Sequence, residues 1–445
     1  MAESTTGTLP LATAQVLAGK IRTRRARVGV VGLGYVGLPL AVEFAEAGFT
    51  VIGIDISEEK VRRVNAGDSY VGDIPSSTLA PLVEAGRLRA TTDFSAVLDL
   101  DTINICVPTP LRKTKDPDMS FIVSSCAEIV RYFHAGTLVI LESTTYPGTT
   151  EELVLPMLAK SGLEVGCDFF LCFSPERVDP GNPKYQTANI PKVVGGCTPA
   201  CTEMGRLFYA QALETVVPVS STQVAEMVKL LENTFRMINI GFANEVAQMC
   251  RRLGVDVWEV IESAATKPYG FMPFYPGPGV GGHCIPVDPS YLQWKMRNLD
   301  FRTRFIDLGN EVNRGMPDYV VQRADDVLND IGRSMRGSRI LLVGVAYKPN
   351  IGDVRESPAI EVADRLLSRG ALVRYVDPHV ESLSTHGGVS LRAVELTAAE
   401  LEASELVVIT TAHDAIDWAL IRERAPLVLD TRGVRGQGRA GWHTL

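Results

Sequence analysis

The sequence lacks an excess of positive charge. Its 44 Lys and Arg stand against 52 Asp and Glu over 445 residues, a formal net charge of −8. A surface without basic bias disfavours a general nucleic-acid binder, because phosphate backbones are held by cations. It still permits a local basic pocket for a small anionic ligand. A long uninterrupted apolar run is also missing. The most apolar stretch, Val28 to Val42, is broken by Gly29, Gly32, Gly34 and Gly37, and reads as a strand and turn rather than a membrane helix. The first 26 residues are Ser/Thr/Ala-rich and end in Arg22, Arg24 and Arg25. A signal peptide carries its positive charges ahead of its apolar run, so a loose tail or a short leading helix is expected in a cytoplasmic protein. Nor is there a zinc set. The eight cysteines are scattered, and Cys197 and Cys201, four apart, have no second pair or nearby His/Cys group to complete one. No metal is expected, and most thiols read as small reduced hydrophobes.

What is present suits two or three domains. Arg27–Asp55 reads as strand (VGVVG), glycine turn, helix (LPLAVEFAEAG) and strand (FTVIGID). Strands then alternate with helices through TINICVP (102–108), TLVILEST (137–144) and DFFLCFSPE (168–176). Near-continuous apolar strands in that alternation indicate a doubly wound parallel sheet, over residues 27–215. No proline interrupts the apolar rhythm Val224, Met227, Val228, Leu231, Phe235, Ile238 in the stretch from Ser220 to Leu253. This predicts one helix long enough to act as a spine and a dimerisation surface. Helices over Val257–Ala265 and Arg302–Arg314 complete a central region at 216–330. After Gly337 the opening pattern returns in SRILLVGVAYKP, PAIEVADRLLSRG, ALVRYVDP, LVVITT and LVLDTRG, over residues 331–445. The expected fold class is α/β, with two Rossmann-like doubly wound domains joined by a long central helix. The second domain lacks the three-glycine turn and is expected to hold something other than a dinucleotide pyrophosphate.

Gly32, Gly34 and Gly37 form G-x-G-x-x-G between strand and helix, with Asp55 about twenty residues beyond, ending the next strand. The first glycine permits a tight turn, the second admits the pyrophosphate, and the third lets helix pack on strand. Phosphates then meet the positive end of the helix. Asp55 would accept bonds from ribose hydroxyls and repel a 2′-phosphate, selecting NAD over NADP. Thr109 and Thr144 lie at later strand ends, where open sheets hold ligands, although strand-end Thr also serves local capping.

Four glycines lie within six residues in Phe274-Tyr-Pro-Gly-Pro-Gly-Val-Gly-Gly-His-Cys-Ile-Pro-Val-Asp288, directly before Cys284. Such a turn can bring backbone close to a ligand and fix the thiol. Cys284 can attack an aldehyde, and the adduct can lose a second hydride to give a thioester. Its neighbour His283 is read as a hydrogen-bonded loop residue. Lys229 and Asn233, spaced i, i+4, share a helix face and can steady an oxyanion; alone they read equally as a solvated face. Glu176 either caps a helix or handles the water that cleaves a thioester. Asp288 either orders its loop or partners that water.

Together GLGYVGLPLA, VPTP, ESTTYPGTT, SPERVDPGN, EMVKLLENTFRMINIGFANE, PGPGVGGHCIPVDP and GVAYKPNIGDVRESPA resemble the UDP-glucose/GDP-mannose dehydrogenase family, in the family's order across residues 27–435. The resemblance implies a homodimer that oxidises the C6 alcohol of a UDP-sugar to a carboxylate with NAD in two hydride transfers. By the same resemblance Cys284 is the nucleophile, and Lys229 and Asn233 hold the C6 oxygen. Thr144, Glu176 and Asp288 manage water and protons. Gly32, Gly34, Tyr35, Val36, Gly37, Asp55, Lys60, Thr109 and Thr144 contact the cofactor. Phe274, Tyr275, Gly277, Gly279, Gly281 and Gly282, with Glu176, Lys229, Asn233, Lys348 and Arg432, face the nucleotide-sugar, cations meeting its diphosphate. The segment from Lys267 to Pro289 looks closest to enzymes of UDP-N-acetylhexosamines, UDP-N-acetylglucosamine first, with UDP-N-acetylmannosamine, UDP-N-acetylgalactosamine and UDP-glucose as alternatives. Such acidic sugars feed surface polysaccharides and glycosylated small molecules alike. Two rival readings are a decarboxylating hydroxyacid dehydrogenase, which needs a Lys but no Cys, and a non-catalytic NAD-binding regulator, which needs only the glycine turn and Asp55.

Overall fold

The computed structural model describes residues 12–112, 114, 116–178, 185, 187–282, 284–434 and 439–445. His283 and the end of the SPERVDPGN motif lie outside the described residues. The chain divides into two compact units, Met1–Glu232 with Ser290–Leu299, and Asn233–Pro289 with Asp300–Leu445.

The first unit is built on β1 (Arg27–Val31), β2 (Thr50–Ile54), β3 (Leu88–Thr91), β4 (Thr102–Ile105), β5 (Leu138–Leu141), β6 (Phe170–Phe173), β7 (Lys192–Gly196) and β8 (Val216–Val219). They form one sheet in the order β3-β2-β1-β4-β5-β6-β7-β8. β4, β5 and β6 are buried at every position, which is why their sequences are unbroken apolar runs instead of alternating ones. On one face, the helices Gly37–Glu46 and Pro199–Tyr209 bring Phe44 and Phe208 into a stack with centroids 4.3 Å apart. On the other, Ser120–Val130 buries Ile122, Cys126 and Ile129.

One feature departs from the sequence expectation. β7 pairs with β6 antiparallel, with Cys172 opposite Gly196 and Phe173 opposite Gly195, so the sheet is not wholly parallel. The leading segment is a helix, Ala12–Arg22, that buries Ala14, Leu17, Ala18 and Ile21, with Lys20 paired to Asp101 at 2.6 Å.

The second unit carries a parallel sheet. Its strands are β9 (Arg339–Val343), β10 (Leu372–Val376), β13 (Leu406–Ile409), β14 (Val428–Asp430) and β15 (Trp442–Thr444), in the order β10-β9-β13-β14-β15. A hairpin of β11 (Ser382–Ser384) and β12 (Ser390–Arg392) lies between. The long helix runs over Thr222–Leu253, 32 residues, and contributes residues to both units. The helix expected over Arg302–Arg314 runs instead over Arg304–Asp330, through Pro317. Proline removes one helical hydrogen bond. Burial of Asn313 and Met316 before it, and of Val320, Val321, Ala324, Val327 and Leu328 beyond it, holds the helix together. Among the described residues, no helix is long and apolar enough to cross a membrane.

The two sheets repeat one local device. In the first, Gly32 is left-handed (φ 92°), and its N–H reaches Ile54 O at 2.8 Å. Asp55, just beyond β2, accepts the Leu33 N–H at 2.8 Å and the Ser57 N–H at 2.9 Å. In the second, Gly344 is left-handed (φ 80°), and its N–H reaches Val376 O at 2.8 Å. Asp377 there accepts the Val345, Ala346 and His379 N–H groups at 2.8, 3.0 and 2.8 Å. It also faces His413 Nε2 at 3.1 Å. The Asn350 N–H points at His413 Nδ1, so that nitrogen carries no proton and Nε2 donates to Asp377.

Burial alone would disfavour charge on Asp377, yet His413 and the three amides outweigh it and hold the carboxyl down at about 2. A folded-state value below the unfolded one contributes stability above the unfolded value, lost as pH falls through the folded one. Asp377→Asn is therefore expected to cost about 2 kcal/mol at neutral pH. The penalty should shrink between about pH 4 and pH 2 in urea denaturation curves; a penalty that stays constant across that window would refute this account.

Candidate active site

In the first unit, the three motif glycines do three different jobs. A Cβ on Gly32 would lie 2.7 Å from Cys106 O, and one on Gly37 only 1.8 Å from Gly32 O. Neither position tolerates a side chain. A Cβ on Gly34 would meet nothing within 4 Å, so that face of the turn is open to a ligand. The helix Gly37–Glu46 starts directly beyond, and its N-cap, Val36, makes no side-chain cap. The positive end of its dipole is thus left for an anion, although the Leu38 N–H is taken by Gly34 O at 3.1 Å and Pro39 has none. Tyr35 is exposed beside them. Asp55, with Lys60 Nζ at 3.2 Å, closes the cradle on the side where a ribose lies. Tyr70 fixes the turn by donating its hydroxyl to Leu33 O at 2.6 Å. These residues fit NAD.

Thr109 and Thr144 follow β4 and β5. The Thr109 carbonyl accepts the Tyr291 hydroxyl, and Ser143 Oγ donates to Val107 O at 2.7 Å, tying the two strand-end loops together. The loop after Thr144 is held by Glu226, a fully buried carboxylate on the long helix that accepts the Gly148 N–H, the Thr150 N–H and the Thr150 hydroxyl.

Glu176 is placed by a network that the sequence did not reveal. Its Oε1 accepts the Arg177 and Val178 N–H groups, each at 2.8 Å. Its Oε2 accepts Lys192 Nζ at 3.0 Å. Lys192 also reaches Glu142 Oε2 at 2.6 Å. Glu142 Oε1 accepts Tyr209 Oη at 2.6 Å and Asn104 Nδ2 at 2.7 Å. Burial works against charge on Glu176, but Lys192, the Val178 amide and Lys229 prevail and hold the carboxyl below its usual range. A carboxylate so held is a weak base and a strong, fixed acceptor. The only sequence signal for Lys192 is a lysine opening an otherwise apolar strand; its partners are far apart in the chain.

In the second unit, Cys284 is the one exposed cysteine; Cys106, Cys126, Cys172, Cys201 and Cys250 are buried, and Cys167 and Cys197 half-buried. Its carbonyl accepts the Asp288 N–H at 2.8 Å. The Asp288 carboxylate in turn accepts Asn233 Nδ2 at 2.5 Å. Cys284, Asp288 and Asn233 are thus brought together, with one of the two Asn233 amide protons given to Asp288.

The glycines before Cys284 pack against the chain itself. A Cβ on Gly277 would lie 2.6 Å from Arg432 Nη1, one on Gly279 3.0 Å from Pro358 Cβ, one on Gly281 2.7 Å from Tyr347 Cβ, and one on Gly282 2.9 Å from the Tyr347 ring. Two further asparagines, absent from the sequence expectation, anchor the loop. Gly277 N–H donates to Asn244 Oδ1 at 2.9 Å, Asn244 Nδ2 to Asn313 Oδ1 at 2.9 Å, and Asn313 Nδ2 to Met237 O at 3.0 Å. Tyr275 stacks on Trp258 at 5.7 Å, and Phe274 meets Phe235 edge-on at 5.6 Å. Arg432 donates Nε to Thr410 O at 2.6 Å; burial lowers its guanidinium to about 10 against the opposing pull of Asp430. Gly277 is therefore packed against the Arg432 guanidinium. Lys348 lies half-buried in the loop after β9. Among the described residues, no group of three or more His, Cys, Asp or Glu is arranged to hold a metal.

Three domain models of one family match in succession. They are the NAD binding domain of the UDP-glucose/GDP-mannose dehydrogenase family at residues 26–213, its central domain at 223–315 and its UDP binding domain at 341–437. The chain is 37% identical to a UDP-N-acetyl-D-glucosamine 6-dehydrogenase of Pseudomonas aeruginosa, over 80% of this chain and 83% of that protein. It is 35% identical to a UDP-N-acetyl-D-mannosamine dehydrogenase of Salmonella typhi, over 92% and 98%. The solved UDP-N-acetylmannosamine dehydrogenase of Pyrococcus horikoshii superposes with a TM-score of 0.85 at 30% identity, covering 94% of this chain and 98% of that one. The matched NAD binding domain is the sheet that carries the Gly32–Gly37 turn, so NAD is the cofactor. On these matches the chain belongs to the UDP-glucose/GDP-mannose dehydrogenase family, an NAD-dependent group of nucleotide-sugar oxidoreductases.

Proposed function

We propose that this protein oxidises the C6 hydroxyl of UDP-N-acetylglucosamine to a carboxylate through a thioester on Cys284. The observation that carries the reading is the single exposed cysteine, fixed by a close-packed glycine loop and followed within one turn by Asp288. NAD, when bound at the Gly32–Gly37 turn and Asp55, would supply the hydride acceptor, one NAD molecule for each oxidation stage in turn. After the first, Cys284 Sγ forms a bond to the aldehyde carbon, and the oxygen gains negative charge that Lys229 and Asn233 stabilise. Loss of the second hydride leaves a thioester. Water then adds at that carbon, the C–S bond breaks, and thiolate, carboxylate and protons result. Glu176 orients that water, and Asp288 and Thr144 share the protons. Lys348 and Arg432 meet the diphosphate, with Phe274, Tyr275 and the glycines beside them.

The Pseudomonas relative supports the N-acetylglucosamine substrate. UDP-N-acetylmannosamine is the second reading, favoured by the Salmonella relative and the Pyrococcus structure. The same proposal makes the protein a cytoplasmic homodimer serving polysaccharide synthesis. Val224, Met227, Leu231 and Phe235, exposed along one stripe of the long helix, are suited to a subunit interface.

NADH formation with a panel of UDP-sugars tests the substrate: UDP-N-acetylglucosamine should have the highest kcat/KM, and a clear preference for another sugar rejects it. Cys284→Ser should lower acid formation by about 10³-fold or more, followed by mass spectrometry of the product; unchanged acid formation removes the thioester route. Asp55→Ala should weaken NAD by about 10- to 100-fold, the worth of hydrogen bonds to a charged group, in a fluorescence titration. An unchanged NAD affinity would take Asp55 out of the cofactor site.

A further inference from the structure

We propose that Lys192 is a positioning residue that holds Glu176 as a fixed, ionised hydrogen-bond acceptor, with Glu142 as its buried counter-charge. The inference rests on the reading of Glu176 as part of the active site and extends it to residues behind it.

The one antiparallel pair of the first sheet creates the arrangement. β6 and β7 pair with Cys172 opposite Gly196 and Phe173 opposite Gly195. Continued in that register, residue 176 falls opposite residue 192. Ser174 keeps the same register by donating Oγ to Val193 O at 2.7 Å. β5 lies parallel to β6 on the side away from β7, with Leu141 opposite Phe173, which sets Glu142 one position beyond its strand end, where Lys192 reaches it past β6. A parallel β7 would run the opposite way and would not bring its first residue to this end of β6.

The network is more than a buried ion pair. Lys192 and Glu142 alone would be neutral, and Glu142 is already served by Tyr209 and Asn104. The second carboxylate leaves one net negative charge in a desolvated cluster, an arrangement that costs stability unless something uses it. Only one member reaches solvent to any extent: the side chains of Glu142, Lys192 and Glu176 are 0, 5 and 15% exposed. With backbone amides on one oxygen and Lys192 on the other, the Glu176 carboxylate can neither rotate nor take up a proton cheaply. The neighbouring chain is clamped too. Arg177 pairs with Glu232 of the long helix and donates Nη1 to Pro191 O at 2.7 Å, fixing both segments that carry the pair.

The charged and titratable groups facing the cluster are Lys229 on the long helix, which adds positive potential at Glu176, Tyr209 on the helix after β7, and Cys106 after β4, whose thiol burial and Glu142 both push up. None of them supplies a second cation within hydrogen-bonding distance of Glu176. Without Lys192, two carboxylates would face each other, and one would take a proton.

The test is the pH dependence of kcat/KM for NADH formation in wild type, Lys192→Met and Lys192→Met/Glu142→Gln. Lys192→Met should move the acid limb up by about 1–3 pH units, the size of the shift that one close opposite charge produces. The double variant, which removes the facing negative charge, should bring the limb back towards wild type. A uniform fall in kcat at every pH with an unmoved acid limb overturns the proposal and leaves Lys192 a structural brace. Lys192→Arg, which keeps the charge and the fold, should lower kcat without moving the limb; a moved limb there also overturns it. Infrared titration supplies a readout that needs no turnover: Lys192→Met at neutral pH should show one protonated-carboxyl stretch more than wild type, lost on adding Glu176→Gln. If wild type forms no NADH with any UDP-sugar, the functional reading fails, while the infrared result still decides the electrostatic one.

Discussion

A carboxylate at the end of one strand, binding the backbone of the turn after its neighbour, sets what each sheet can hold. A left-handed glycine exposes backbone amides that need an acceptor, and in both sheets an aspartate from the next strand supplies it. Asp55 does so with Lys60 alongside and an open face at Gly34. Asp377 does so with His413 buried against it and three amides sharing its oxygens. The same geometry is a cradle in the first sheet and a lock in the second. The Asp377 side chain is wholly buried with His413 against it, so it presents no acceptor to a ribose hydroxyl, although the fold is the same.

The closed turn has a consequence for the glycine loop before Cys284. The Asn350 N–H binds His413, and the Asn350 side chain exchanges hydrogen bonds with Asp414. Between them they hold the segment after β9, which carries Tyr347 and Lys348. Tyr347 is what Gly281 and Gly282 pack against. The glycines ahead of Cys284 are therefore a packing requirement before they are a ligand requirement. Any side chain at Gly281 or Gly282 would push on the locked segment and displace the thiol with it. Rigidity at Cys284 comes from the opposite end of its own unit.

Much of this was legible in the sequence because it is local. Buried parallel strands announce themselves as apolar runs, as in Leu138–Leu141 and Leu406–Ile409. The turn at Gly32–Gly37 with Asp55 is written in spacing, and Cys284 stands out by the glycines around it. What escaped notice depends on partners distant along the chain. Nothing near Lys192 marks it as the partner of residues 16 and 50 positions away. Asn244 and Asn313 look like ordinary helical asparagines until the Gly277 amide is placed on one of them. The helix expected over Arg302–Arg314 continues through Pro317 because tertiary burial on both sides exceeds the loss of one hydrogen bond.

The position of Glu176 bears on how the last step divides its labour. A base must be able to hold a proton, and a carboxylate that accepts two amides and an ammonium holds one poorly. Glu176 is suited instead to fixing the orientation of a polar partner while remaining charged throughout. Its charge is matched by Lys192 and shaped further by Lys229, the residue to which the oxyanion role is assigned. Withdrawal of Lys229 towards a developing negative charge would leave Glu176 less stabilised, and neutralisation of that charge would restore it. On the roles proposed above, the electrostatic support of Glu176 would thereby follow the charge on the reacting oxygen. Lys192 anchors the coupling because it is buried between two carboxylates and has no such charge to follow.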